Sequence, residues 1–187
     1  WMLDASEFGI YAFSATLASY LVFLSYSIMP LFQSHAAKLY DKGSFQELQN
    51  LFEIWQYMFI SAASILLLLL VFFSQEILYF TGGADFAGLP NILLMISAAV
   101  CIDQFFGQYQ LIFNLAKKPK LITLAYLIKL SLMVVLIPAF VYLYGIYGAV
   151  LGMFISVIIV NLFRYVEATK LIEIKLTFFL KMYLFLL

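Results

Sequence analysis

The sequence predicts an all-α fold, a polytopic bundle of transmembrane helices, and three observations support this prediction. First, 66% of the 187 residues are hydrophobic and 11% are charged, whereas soluble domains are about half apolar and about a quarter charged. Second, apolar runs recur at lengths that cross a hydrocarbon core of about 30 Å. Third, basic residues collect in every second connection between these runs. We therefore expect the lipid bilayer to be the solvent for most of the chain.

Five apolar runs are long enough to cross a bilayer. They span about residues 8–35, 54–75, 89–116, 121–144 and 145–166, and a sixth begins near residue 176. The fourth and fifth runs are continuous, and one helix of that length would be too long for a membrane. We place a turn between them at Gly145, because glycine permits tight turns. Since the sequence starts at Trp1 and stops within the sixth run, we expect a fragment of a longer protein.

The distribution of Lys and Arg predicts the orientation. The connection after the third run carries Lys117, Lys118 and Lys120, whereas the connections at 74–88 and 139–147 carry no basic residue. Lys and Arg accumulate on the cytoplasmic side of membrane proteins. We therefore expect the N-terminus outside and the segment after the fifth run inside.

The connection between the first two runs contains a helix-start signal. Ser44 and Glu47 have the spacing of a capping box, in which each side chain bonds to the backbone amide of the other. The residues that follow form either an amphipathic turn on the inner membrane surface or a simple extension of the second helix.

Asp103 lies deep inside the third run, where a charge costs at least about 2.5–3.5 kcal/mol. Its polar and small neighbours follow the i, i+4, i+7, i+11 spacing of one helical face. The candidate cavity-lining residues on this helix are Asp103, Gln104, Gly107, Gln110 and Asn114, and Gln108 widens the same face. We expect this face to line a water-filled cavity. The alternative is a hydrogen-bonded seam against another helix.

Two further basic residues lie near or inside the apolar runs. Lys129 either extends its side chain to the inner interface or faces the cavity and pairs with Asp103. Arg164 and Glu167 have the i, i+3 spacing of a helical ion pair. We expect them to pair at the inner interface, and the alternative is that they belong to a substrate site.

Prolines and glycines inside the runs predict local geometry. We expect helix kinks at Pro30 and Pro138, because proline removes a backbone hydrogen bond. Gly148 and Gly152 have the GxxxG spacing that permits close helix packing.

The sequence shows no catalytic or metal-binding pattern. It contains one His and one Cys, His35 and Cys101, which excludes a disulfide framework and disfavours a metal site. It has no phosphate-binding glycine loop. We expect no enzyme activity, no cofactor and no nucleic-acid partner.

Six short motifs occur in a characteristic order. They are Phe8–Tyr11, Met29–Phe32, Leu39–Phe45, Asn114–Lys120, Ile137–Pro138 and Gly145–Ala149. In this order the sequence resembles the C-terminal half of bacterial polysaccharide-biosynthesis membrane proteins. These are the lipid-linked oligosaccharide flippases of the multidrug/oligosaccharidyl-lipid/polysaccharide exporter superfamily. The segment 139–144 is longer than in the family pattern.

The resemblance implies two six-helix lobes around a central polar cavity, with this chain as part of the second lobe and the N-terminal lobe missing. It implies transport of an undecaprenyl-pyrophosphate-linked glycan (an O-antigen, capsule or exopolysaccharide repeat unit) across the bacterial inner membrane by alternating access. Lys129 would attract the pyrophosphate. The alternatives are a cation-coupled multidrug exporter of the same superfamily and a non-transporting membrane assembly subunit.

Overall fold

The computed structural model describes residues 4–83, 86 and 90–171, without the side chains of residues 24–28. Over these residues the chain is helical and contains no strand, which confirms the all-α prediction. The described helices are α1 (Ala5–Asp41), α2 (Phe45–Gly82), α3 (Pro90–Gly107), α4 (Tyr109–Leu115) and α5 (Pro119–Leu171). The predicted sixth run lies outside the described residues.

Three described segments are long and apolar enough to cross a membrane. These are α2, the segment Pro90–Leu115 formed by α3 and α4, and α5. Large apolar side chains are exposed along two of them, among them Phe72, Phe80, Val134 and Val135. Extensive exposed apolar surface is unfavourable in water, so these helices have the surface of a membrane protein. The number of crossings stays a prediction.

The α5 helix folds back on itself at Gly145. Its backbone leaves helical values there, with φ 59° and ψ −138°, a left-handed conformation that favours glycine. A Cβ on Gly148 would lie 1.9 Å from the backbone oxygen of Phe140, whereas a straight helix would separate residues 140 and 148 by about 12 Å along its axis. The helix is therefore a hairpin whose first arm is 119–144 and whose second arm is 146–171.

The two arms pack with almost no space between their backbones. A Cβ on Gly152 would lie 2.9 Å from Cα of Ile137, so both glycines of the GxxxG pattern permit a contact that a side chain would block. The prediction that Gly148 and Gly152 serve close packing is confirmed.

The connection between α1 and α2 differs from the prediction. The side chain of Ser44 makes no capping hydrogen bond, so the predicted capping box with Glu47 is wrong. Its ψ of 63° departs from the extended conformation usual at an N-cap. The helix α2 is continuous from Phe45, which favours a simple helical extension, and it runs to Gly82 through part of the predicted 74–88 connection.

Neither proline interrupts its helix. Pro30 lies inside α1 and Pro138 inside α5, and the predicted kinks stay predictions. In the third predicted crossing, one residue, Gln108, separates α3 from α4, and its φ of −59° and ψ of −24° stay in the helical region.

The helix α3 is central in the described part of the molecule and packs against α1, α2 and α5. Two apolar clusters hold the helices together. One cluster includes Ile92 and Ile96 of α3, and the other includes Ile112 and Phe113 of α4. Asp103 lies between these positions along the chain, so the polar face of α3 separates two apolar cores.

Candidate functional site

Asp103 connects α3 to both arms of the α5 hairpin. Its Oδ2 accepts a hydrogen bond from Nζ of Lys129 at 2.6 Å. Its Oδ1 accepts one from Nη1 of Arg164 at 2.8 Å and lies 3.4 Å from Nδ2 of Asn161. Lys129 belongs to the first arm, and Arg164 and Asn161 belong to the second. Of the two roles open to Lys129, the structure shows the pairing with Asp103.

Arg164 is not the interfacial residue that the sequence predicts. It is 1% exposed, and its Nη1 also donates to Oδ1 of Asn161 at 2.8 Å. Glu167, its predicted partner, instead pairs with Lys170. The prediction from the i, i+3 spacing is wrong because a carboxylate from another helix gives Arg164 a partner inside the protein. A charge needs a partner most when it is buried.

Asn161 and Tyr126 are further site residues that the sequence does not single out. The guanidinium carbon of Arg164 lies 5.6 Å from the ring centroid of Tyr126, within cation–π range. The Tyr126 hydroxyl donates to Oε1 of Gln110 at 3.3 Å. The sequence contains only a weak signal for this part of the site, because Asn161 and Arg164 are polar residues three positions apart on one helical face.

The cluster carries excess positive charge. One carboxylate, Asp103, faces the two cations Lys129 and Arg164, so the formal charges sum to +1. Desolvated charges are stable only when they are paired and hydrogen-bonded. Within the described residues, Nε of Arg164 has no hydrogen-bond partner. The cluster is therefore suited to a ligand that accepts hydrogen bonds and carries negative charge.

A cavity of about 430 Å³ lies beside this cluster. Five predicted residues line it, namely Asp103, Gln104, Gly107, Gln110 and Asn114. Lys129 is not part of the lining, and it contacts the site through Asp103. The structure adds lining residues from α1, α2, the α3–α4 junction and α5, including Gln33, Trp55, Gln108, Tyr126 and Arg164.

The junction between α3 and α4 lines this cavity. A Cβ on Gly107 would meet no atom within 4 Å among the described residues. Gln108, which joins the two helices, is 2% exposed, and its Nε2 donates to the backbone oxygen of Phe105 at 3.0 Å. The junction therefore has a small residue and a buried amide at the cavity wall.

The site is equipped for binding. The described residues contain no group of three His, Cys, Asp or Glu side chains that could hold a metal ion, and His35 is exposed on α1. Arg164, one carboxylate and several amides line a concave pocket, and Lys129 lies behind the carboxylate. These are the components of a polar ligand site.

Comparison with protein-family profiles, curated proteins and solved structures finds no match.

Proposed function

We propose that the protein moves a lipid-linked oligosaccharide across the bacterial inner membrane. The observation that supports this most is the Asp103–Lys129–Arg164 cluster, with a formal charge of +1, beside a cavity lined by amide side chains. Ionisable residues at membrane depth mark substrate pathways. A pyrophosphate-linked glycan combines an anionic group for the cations with hydroxyl groups for the amides.

Alternating access is the proposed mechanism. The glycan head group occupies the cavity while its lipid tail stays in the bilayer, and the missing N-terminal lobe supplies the opposite wall. Asp103 ties α3 to both arms of the α5 hairpin, so these segments move as one unit. No covalent bond forms or breaks. The free energy of binding the head group alone favours one orientation of the transporter, open inward or open outward, over the other.

The charge of the cluster argues against the cation-coupled multidrug exporter. A coupling carboxylate must be available to a proton or a metal cation, but Asp103 already faces two basic side chains. The excess positive charge also repels the cationic drugs that such an exporter would carry.

The cavity argues against the assembly subunit. A purely structural seam would seal the polar face of α3 against another helix. Instead, the side chain of Asp103 is 20% exposed, and three residues of that face line open space together with Gln110 and Asn114 of α4.

Glycan export by the full-length protein tests the proposal. We expect Lys129→Met to abolish export while the protein accumulates normally, because Asp103 keeps Arg164 as its partner. Lys170→Met is the matched control, since Lys170 lies at the exposed end of the second arm. Normal export by both Lys129→Met and Asp103→Ala would refute the glycan proposal. Drug efflux that depends on Asp103 would support the exporter instead.

A further inference from the structure

A short connection at one end of the molecule joins two segments that are long and apolar enough to cross a membrane. The first segment ends at Leu115, and the second, α5, begins at Pro119. Only residues 116–118 lie between them, so this connection is at the level of the lipid head groups when both segments cross the bilayer. It forms, together with the start of α5, a group of three exposed lysines that we term the lysine link, namely Lys117, Lys118 and Lys120.

The backbone keeps the lysine link compact and in a fixed position. Consecutive Cα atoms are about 3.8 Å apart, so the Cα atoms of Lys117 and Lys120 lie within about 11 Å of each other. The backbone amide of Lys118 donates to the backbone oxygen of Phe113 at 2.8 Å. Phe113 is buried in an apolar cluster, and Leu121 packs against the same cluster. The link is therefore anchored on both sides, while its three charged side chains are exposed.

Lys117 has a backbone conformation that is unusual for lysine. Its φ of 55° lies in the left-handed region, which glycine and asparagine adopt at lower cost. Glycine is the usual residue where a helix ends in this way. Lysine at this position therefore adds a third charge to the link at a conformational cost, and such strain is often associated with a functional site.

The positive charge of the lysine link is not neutralised by other described residues. The ion pairs in the described part of the chain join Asp103 to Lys129 and Arg164, and Glu167 to Lys170. The acidic residues whose neighbours in sequence belong to the same apolar cluster are Asp41, Glu47, Glu53 and Glu167. None of them forms an ion pair with the link, which therefore presents a formal charge of +3 to an external partner.

We propose that the lysine link binds the phosphate groups of anionic phospholipids in the adjacent leaflet. Basic residues directly beside a membrane segment attract anionic lipids. A lysine side chain can lie along apolar surface with its ammonium group among the head groups, and its flexible stem lets this charge follow a mobile phosphate. The position at head-group level favours a lipid over an anion dissolved in water.

This proposal depends on the membrane placement of the two segments and not on the transported molecule. A lipid-linked pyrophosphate has the same phosphate chemistry, so the experiment compares both sources. The full-length protein in neutral detergent is titrated separately with phosphatidylglycerol, phosphatidylcholine and farnesyl pyrophosphate, and native mass spectrometry measures the bound molecules. We expect phosphatidylglycerol to bind roughly tenfold or more tightly than phosphatidylcholine, since each lysine at the surface contributes about fivefold.

Two double variants remove the same charge from the same end of the molecule. Lys118→Gln with Lys120→Gln should weaken phosphatidylglycerol binding by roughly fivefold or more. Lys38→Gln with Lys42→Gln is the matched control, because these exposed lysines flank the exposed Asp41. The control should change the affinity by less than about twofold, since Asp41 already offsets part of that charge.

Lys117→Gly separates the charge of the link from its backbone role. Glycine adopts a φ of 55° without strain, so this variant should melt no lower than wild type and still bind phosphatidylglycerol more weakly. Unchanged binding by Lys117→Gly and by the Lys118–Lys120 double variant would refute the proposal.

Three other results would also overturn it. Equal losses in the two double variants would show that total charge, and not the lysine link, attracts the lipid. Equal binding of phosphatidylglycerol and phosphatidylcholine by wild type would remove the preference for anionic lipid. Binding of farnesyl pyrophosphate alone, lost in the Lys118–Lys120 double variant, would assign the link to the transported molecule instead.

Discussion

Two regions of the molecule use glycine inside an apolar segment for opposite purposes. At the α5 hairpin, a Cβ on Gly148 would lie 1.9 Å from a backbone oxygen, so glycine there brings two helices into contact. At the α3–α4 junction, a Cβ on Gly107 would meet nothing within 4 Å among the described residues, so glycine there leaves space.

The neighbours of each glycine account for the difference. Gly148 is followed by the buried apolar residues Ala149 and Val150, which pack in the absence of water. Gly107 is flanked by Gln108 and, one turn earlier, by Asp103, both of which line the cavity. In this molecule, therefore, the glycine on an apolar face marks a packing seam, and the glycine on a polar face marks an opening.

The largest expected effect is at the hairpin. Gly148→Leu places a side chain against the backbone of Phe140, which cannot move without separating the arms. We expect a loss of more than about 3 kcal/mol of stability, seen as a large fall in melting temperature or in yield of monodisperse protein in detergent. Gly107→Ala, which enters open space, is the control and should melt near wild type. Equal melting of Gly148→Leu and wild type would contradict the packing role of Gly148.

Removal of the central carboxylate should have the next largest effect. Asp103→Ala leaves Arg164 buried beside Lys129 without its acidic partner, and breaking a buried pair in this way costs about 3–5 kcal/mol. Replacing Arg164 by Met as well removes the unpaired charge, so the double variant should be more stable than the sum of the single losses predicts. The measurement is a double-mutant cycle of melting temperatures. Additive losses would mean that the two residues do not interact.

The exposed ion pair should matter least. Glu167→Gln breaks its contact with Lys170, whose side chain is 61% exposed, and exposed pairs contribute less than about 1 kcal/mol. We expect unchanged glycan export and a melting temperature within a few degrees of wild type. A loss of stability as large as that of Asp103→Ala would show that the exposed ion pair contributes as much to stability as the buried ion pair, and would contradict this prediction.

The sequence predicts the features that depend on local pattern. The apolar runs predict helices, and the run that continues past Gly145 is too long for one crossing, which predicts the turn that the backbone shows there. The helical spacing from Asp103 to Asn114 places these residues on one face, and the structure places that face against the cavity.

Features that depend on contacts between distant segments are not visible in the sequence. Arg164 is 61 positions from Asp103, and its nearest acidic neighbour in sequence, Glu167, suggests a different pair. At Ser44 the capping pattern is present, but the backbone conformation of the turn prevents the side-chain hydrogen bond.

In the proposed transporter, the polar face of α3 and α4 borders water within the membrane. The most direct measurement is reaction of a hydrophilic maleimide with single cysteines in the full-length protein, in a background in which every native cysteine, including the buried Cys101, is replaced by Ser. We expect cysteines at Gly107 and Gln110 to react quickly. Cysteines at Val134, on the exposed apolar surface, and at buried Ile112 should stay unmodified. Equal protection at all four positions would contradict the cavity and the transport function proposed from it.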